Sequence, residues 1–196
     1  MEKINFIKTF IPQGDFREKY EHGGMMVRHL AAVIDEKMGA YECYECTVSI
    51  GEYDEGEIQK AFAEFSAKMD ALKLKQAKVE KIAEIAAYDT SSSVNGFMLN
   101  GLLVWLDKAT RVGLMNSTTI AKAAGQQTTT LWLGGIKLVV DCDKAIQLLS
   151  ALEMYALECF NVTASHKQAV SELTTIEEVE AYDYKSGYPK MLEMSV

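Results

Sequence analysis

From Glu57 to Tyr88 the chain contains neither proline nor glycine, and its apolar residues recur at heptad spacing. Ile58, Phe65, Leu72, Val79 and Ala86 form one row, and Phe62, Met69, Gln76 and Ala83 form the other. A segment of this period, with no residue that breaks an i to i−4 ladder, predicts one long helix. Asp54 followed by Glu57 supplies its start, a capping box in which each side chain satisfies an orphan amide. Unbroken, the helix is roughly 48 Å long from the helical rise per residue. Two arrangements satisfy the pattern. One is an amphipathic helix lying along its own domain. The other is a coiled coil of several copies, with Ile58, Phe62, Phe65, Met69, Leu72, Gln76 and Val79 at the interface and Gln76 as a polar register mark. Toward the C-terminal end the apolar face drifts to Ile82 and Ile85, which a simple two-row seam does not explain.

Residues 1–53, before this helix, predict a small β-rich domain. "MMVRHLAAVI" (25–34) and "AYECYECTVSI" (40–50) flank the turn-like insert "DEKMG", the pattern of a hairpin. On the second strand, period two puts Tyr41, Cys43, Glu45 and Thr47 on one face and Glu42, Tyr44, Cys46, Val48 and Ile50 on the other. Cys43 and Cys46 have the Cys-x-x-Cys spacing of zinc or redox sites, but a strand sends the two thiols to opposite faces. A zinc site needs two further ligands. Cys142 and Cys159 stand alone in the sequence, and the only histidines are His22, His29 and His166. A redox pair belongs at a helix N-terminus, whereas strand formers flank this one. The expectation is therefore inert, packed cysteines and no metal.

After the polar break "YDTSSS" the pattern changes. "GFMLNGLLVWLD" places two apolar strands around Asn100-Gly101, and "TTTLWLGGIKLVVD" does the same around Gly134-Gly135. Each hairpin leads through an aspartate, Asp107 in the first case and Asp141 or Asp143 in the second, into a helix. The result is a degenerate ββα-ββα repeat whose second helix is long, with Leu148, Leu149, Leu152, Tyr155, Ala156, Cys159 and Val162 along one stripe. Thr175 with Glu178 announces a further short helix. The fold class expected is α+β, divided as 1–53, a 54–90 helical connector, and 91–196.

No catalytic constellation assembles from these elements. No glycine-rich loop precedes a lysine-serine/threonine pair, and no Gly-x-Ser-x-Gly elbow occurs. His166 falls on the apolar side of the long helix and reads as a packing residue. Arg111, one turn after Asp107, reads as its intrahelical partner. The net charge of −8, from 28 acids against 20 bases, argues against a nucleic-acid partner, which calls for a concentrated basic face. No apolar run is long enough for a membrane span. The start has no secretion signal, so folding in the cytoplasm where the chain is made is expected. Trp105 and Trp132 lie on the hairpins. They are expected to face the helices as core, and otherwise to be candidates for stacking on a sugar. No cofactor is expected.

From about residue 67 onward the chain resembles an uncharacterised C-terminal domain found in proteins of tailed phages and prophages, notably tail-fibre and tail-associated proteins. The resemblance lies in "KIAEIAAYDTS", Phe97 with Asn100-Gly101, "VWLDKATRVGLMNS", "TTTLW", "AIQLLSALEMYALECFNVTASHKQAV", "TTIEEVEAYDY" and "GYP". It implies a virion or tail role rather than a reaction: a non-enzymatic structural or adaptor protein that docks to other virion proteins or to a host surface. The apolar seam of the long helix leads to the expectation of a homo-oligomer, and the resemblance implies a preference for a trimer. A tail-fibre assembly factor and a module binding a host-surface glycan through Trp105 or Trp132 are the other expectations.

Overall fold

The computed structural model describes residues 4–11, 17–19, 24–35, 40–49 and 51–195. The fold is α+β, and its contacts divide it into two compact units, Met1–Lys73 and Leu74–Val196. This division falls inside the long helix, not at residues 53 and 90 where the sequence changes character.

In the first unit, strands β1 (Ile7–Ile11), β2 (Arg17–Lys19), β3 (Gly24–Asp35) and β4 (Ala40–Ser49) form an antiparallel sheet in the order β1-β4-β3-β2. The hairpin expected from the sequence is the central pair β3-β4, with register shifts between Leu30 and Ala32 and between Val33 and Asp35. Its turn-like insert at 36–39 lies outside the described residues, as does Ile50. Helix α1 (Glu55–Asp89) starts at the capping box read from the sequence. The Glu57 amide donates to Asp54 Oδ1 at 2.7 Å, and the Asp54 amide donates to Glu57 Oε2 at 3.4 Å. The early part of α1 covers one face of β4. Ile58 is buried with Cys46 and Val48, and Phe62, Phe6, Ile4 and Tyr53 pack around them. Phe65 stacks on Phe6 at 4.5 Å between centroids and meets the edge of Tyr44 at 4.9 Å. Cys43, of the opposite parity on β4, is also buried. The strand thus keeps the two thiols on different faces, each in a packed environment.

The second unit begins with the later part of α1. Ile85 is fully buried with Val170 and Val179, flanked by Leu74, Ala77, Ile82, Leu173, Tyr182 and Tyr184. The drift of the apolar face toward Ile82 and Ile85 is therefore the mark of this second packing surface. A short helix α2 (Ser92–Asn95), capped by Ser91, occupies the polar break. Strands β5 (Gly96–Leu99) and β6 (Leu102–Trp105) form the first hairpin. Helix α3 (Lys108–Ala123) follows, then β7 (Thr128–Leu133) and β8 (Ile136–Asp141) as the second hairpin, and helix α4 (Cys142–Glu172). Asn100 and Gly101 have φ of 49° and 81°, and Gly134 and Gly135 have 58° and 86°. Both turns therefore need two successive left-handed residues, the geometry that asparagine-glycine and glycine pairs tolerate. Asp107 caps α3, and Asp141, the first of the two candidates, caps α4. Helix α5 (Ile176–Ala181) carries the complete Thr175/Glu178 capping box. Strand β9 (Leu192–Met194) returns parallel to β5 and completes a sheet in the order β6-β5-β9. Phe97, Leu99, Val104, Leu131, Leu133, Leu149 and Leu152 form the centre of the core, closed on one side by Tyr155 and Cys159.

Candidate functional site

The seven residues of the expected helical seam do not share one environment. Ile58 is 1% exposed, and Phe62 and Phe65 are partly buried against the first unit's own aromatic residues. These three serve internal packing. Met69 is half-buried, while Leu72 is 49% and Val79 55% exposed. Gln76, between them in the heptad pattern, is exposed, and its Nε2 donates to Glu80 Oε1 at 2.6 Å. The seam thus loses its first turns to the fold and keeps Leu72, Gln76 and Val79 at the surface.

The tryptophans correct the expectation that they form core. On β6 the inward position is Val104, and on β7 the inward positions are Leu131 and Leu133, so alternation turns Trp105 and Trp132 outward. Trp132 stands on the exposed face of its hairpin, whereas Trp105 lines a groove of about 680 Å³. Three segments build this groove. Glu153, Ala156, Leu157 and Phe160 share one face of α4 at i, i+3, i+4 and i+7. Trp105, Leu106, Asp107, Lys108 and Arg111 come from the junction of β6 with α3, and Asp89, Thr90 and Asn95 from the junction of α1 with α2. The lining carries three carboxylates, Asp89, Asp107 and Glu153, against two cations, Lys108 and Arg111.

Arg111 is the residue that sequence reasoning misplaced. It is 8% exposed and reaches across to α4, with Nε donating to Glu153 Oε1 at 2.9 Å and Nη1 donating to the Leu106 carbonyl at 2.8 Å. Asp107 serves α3 instead, accepting from the Thr110 amide at 2.8 Å and from the Thr110 hydroxyl at 2.6 Å. The Thr110 hydroxyl, and then its amide, hold the Asp107 carboxyl below its ordinary pKa. A nearly buried arginine joined to a carboxylate and a carbonyl is a fixed group. No local sequence signal names Glu153 as its partner, because the two lie on different helices.

His166 has two partners, the Tyr182 hydroxyl at 2.9 Å from Nδ1 and the Ser186 carbonyl at 3.0 Å from Nε2. A carbonyl only accepts, so Nε2 carries the hydrogen, and in the neutral ring Nδ1 accepts from Tyr182. The histidine thus ties α4 to the segment after α5. Buried Thr163 donates to Asp89 Oδ1 at 2.8 Å and lies 2.9 Å from the Tyr188 hydroxyl. Among the described residues no group of three or more His, Cys, Asp or Glu side chains is placed to hold a metal ion, and His22 lies outside them. No helix among the described residues is long and apolar enough to cross a membrane.

Residues 76–186 match the family described as Domain of unknown function (DUF4376). The chain belongs to this family. The DUF4376 match starts close to Leu74, where the second compact unit begins, so the later half of α1 is part of the domain by packing and by sequence alike. The groove beside Trp105 lies wholly within the DUF4376 region, whereas the four-stranded sheet lies outside it. No curated protein and no solved structure matches the chain.

Proposed function

We propose that this DUF4376 protein is a non-enzymatic structural or adaptor protein of a tailed-phage virion, acting as a homo-oligomer held together through the exposed stretch of α1. The observation that carries the self-association is the pair Leu72 and Val79, one heptad apart and about half exposed with Gln76 between them. Large aliphatic side chains at this spacing on a helix surface are the knobs of a coiled-coil contact, and a polar residue between them selects register at some cost in stability. Met69, one heptad before Gln76, belongs to the second row of the same interface, while Ile58, Phe62 and Phe65 fall outside it because the first unit already uses them. A structural role is favoured over a catalytic one by what the reactive side chains do. His166, Arg111, Asp107 and Glu178 each bridge or cap elements of the fold. The virion assignment rests on the resemblance of residues 67 onward to tail-associated phage proteins.

Light scattering tests the oligomer. The wild type is expected as a homo-oligomer, with a trimer preferred, and Leu72→Asp combined with Val79→Asp is expected to yield a monomer with unchanged circular dichroism, since neither residue is in a core. A wild type that stays monomeric at high concentration overturns the self-association. Peptides of this chain in purified phage particles are the expected result of mass spectrometry, and their absence overturns the virion role.

A further inference from the structure

We propose that the groove between α4 and the β6–α3 junction is a binding site for a neutral saccharide, with Trp105 as the stacking platform. A sugar ring has two unlike parts, a C–H face that is apolar and a rim of hydroxyls that each donate and accept. The groove offers the same pairing. Trp105 is 41% exposed, and Leu157 and Phe160, a turn apart on α4, are 50% and 58% exposed, so an apolar and aromatic surface is presented rather than buried. Beside it stand Arg111, Glu153 and Asn95. Among the described residues Arg111 Nη2, Glu153 Oε2 and the Asn95 side-chain oxygen make no hydrogen bond within the protein. One fixed donor group and two acceptors thus remain on the lining.

Two features select this ligand class. A purely apolar ligand would cover those polar groups without replacing their bonds to water, an unfavourable exchange. A strongly anionic ligand would meet three carboxylates against two cations. A polyhydroxylated neutral ring satisfies both conditions. The arginine is held in place by Glu153 and the Leu106 carbonyl before any ligand arrives, which lowers the ordering cost of binding. The groove volume of about 680 Å³ lies within the range of ordinary small-molecule sites. Trp132 is similarly exposed on the other hairpin but is not part of the lining of this groove, and it therefore serves as an internal control.

The test is a glycan array carrying neutral and acidic oligosaccharides, followed by titration calorimetry with the best neutral binder, on the full chain and its variants. Wild type is expected to bind neutral glycans. Trp105→Ala is expected to weaken binding about tenfold or more, as loss of an aromatic contact does, with Trp105→Phe recovering part of it. Trp132→Ala is expected to bind like wild type, and unchanged melting temperatures separate loss of the platform from loss of the fold. The proposal is overturned if no glycan on the array binds, if only acidic glycans bind, or if Trp105→Ala and Trp132→Ala behave alike. The self-association through Leu72 and Val79 concerns a different surface, and light scattering reads it independently of either result.

Discussion

Thr163, buried on α4, donates its hydroxyl hydrogen to the carboxylate of Asp89, the last residue of α1, at 2.8 Å. The same oxygen lies 2.9 Å from the Tyr188 hydroxyl, and Asn95 Nδ2 donates to the Asp89 carbonyl. One turn earlier Ile85 is fully enclosed by Val170 and Val179. The end of α1 is therefore built into the second unit by both polar and apolar contacts.

A fragment of residues 74–196 is accordingly expected to fold cooperatively alone, and one of residues 91–196 is not, since it lacks Ile82, Ile85 and Tyr88 and leaves Val170 and Val179 uncovered. Within the full chain Ile85→Ala should cost about 2–5 kcal/mol, the range for emptying a large aliphatic site in a core. Val79→Ala, six residues earlier on the exposed surface, should change the stability of a monomer by less than about 0.5 kcal/mol. Urea unfolding followed by tryptophan emission reads this unit alone, because both tryptophans lie in it. A folded 91–196 fragment would show that α1 is dispensable to the domain.

The features legible in the sequence are those whose cause is local. Both capping boxes, both aspartate caps and both hairpin turns rest on residues within a few positions of each other, and each sits where the pattern placed it. The features that were not legible depend on distant partners. Leu102, Leu103, Val104 and Trp105 are apolar at both parities, so nothing in the strand itself declares that Val104 faces the core and Trp105 the solvent. Arg111 had a carboxylate one turn away, yet Glu153 on another helix became its partner. Strand β9 is three residues long, too short for a period to show, and it exists because β5 has an open edge beside it. The heptad spacing marked α1 as one long helix, but Ile58, Phe62 and Phe65 are spent within the first unit, a division that only the tertiary packing draws.

Alkaline pH should weaken the second unit through Tyr155. Its hydroxyl donates to the Val94 carbonyl at 2.7 Å within the core, and burial pushes its pKa up to about 12. Because the folded value lies above that of an unfolded tyrosine, about 10, the stabilisation is fully present below the unfolded value and is lost as pH rises toward the folded one. Tyr155→Phe removes the Tyr155 part of this dependence, and Cys159 and Tyr188, whose pKa values burial also raises, account for what remains. At neutral pH the substitution should cost about 1–3 kcal/mol, because the Val94 carbonyl loses its strongest donor. Urea midpoints measured at pH 7 and above pH 10 check both statements. Equal alkaline losses in wild type and variant would assign the effect to other groups.

At acid pH the caps should fail instead. The Thr110 hydroxyl, followed by the Thr110 amide, holds the Asp107 carboxyl below its ordinary value, and the Thr174 and Thr175 amides do the same for Glu178. A depressed folded pKa means that the unfolded chain binds the extra proton first. The contribution is therefore present above the ordinary carboxylate pKa and disappears as pH falls through the folded value. Asp107→Asn keeps an oxygen that accepts from the Thr110 amide but carries no titrating group, whereas Asp107→Ala removes the cap at every pH. The urea midpoint of Asp107→Asn is expected to fall less between pH 7 and pH 3 than that of wild type, with Glu178 accounting for part of what remains. Asp107→Ala is expected to start lower at pH 7 and likewise to fall less. If wild type and Asp107→Asn lose the same stability on acidification, the carboxylate of Asp107 is not what the acid titrates.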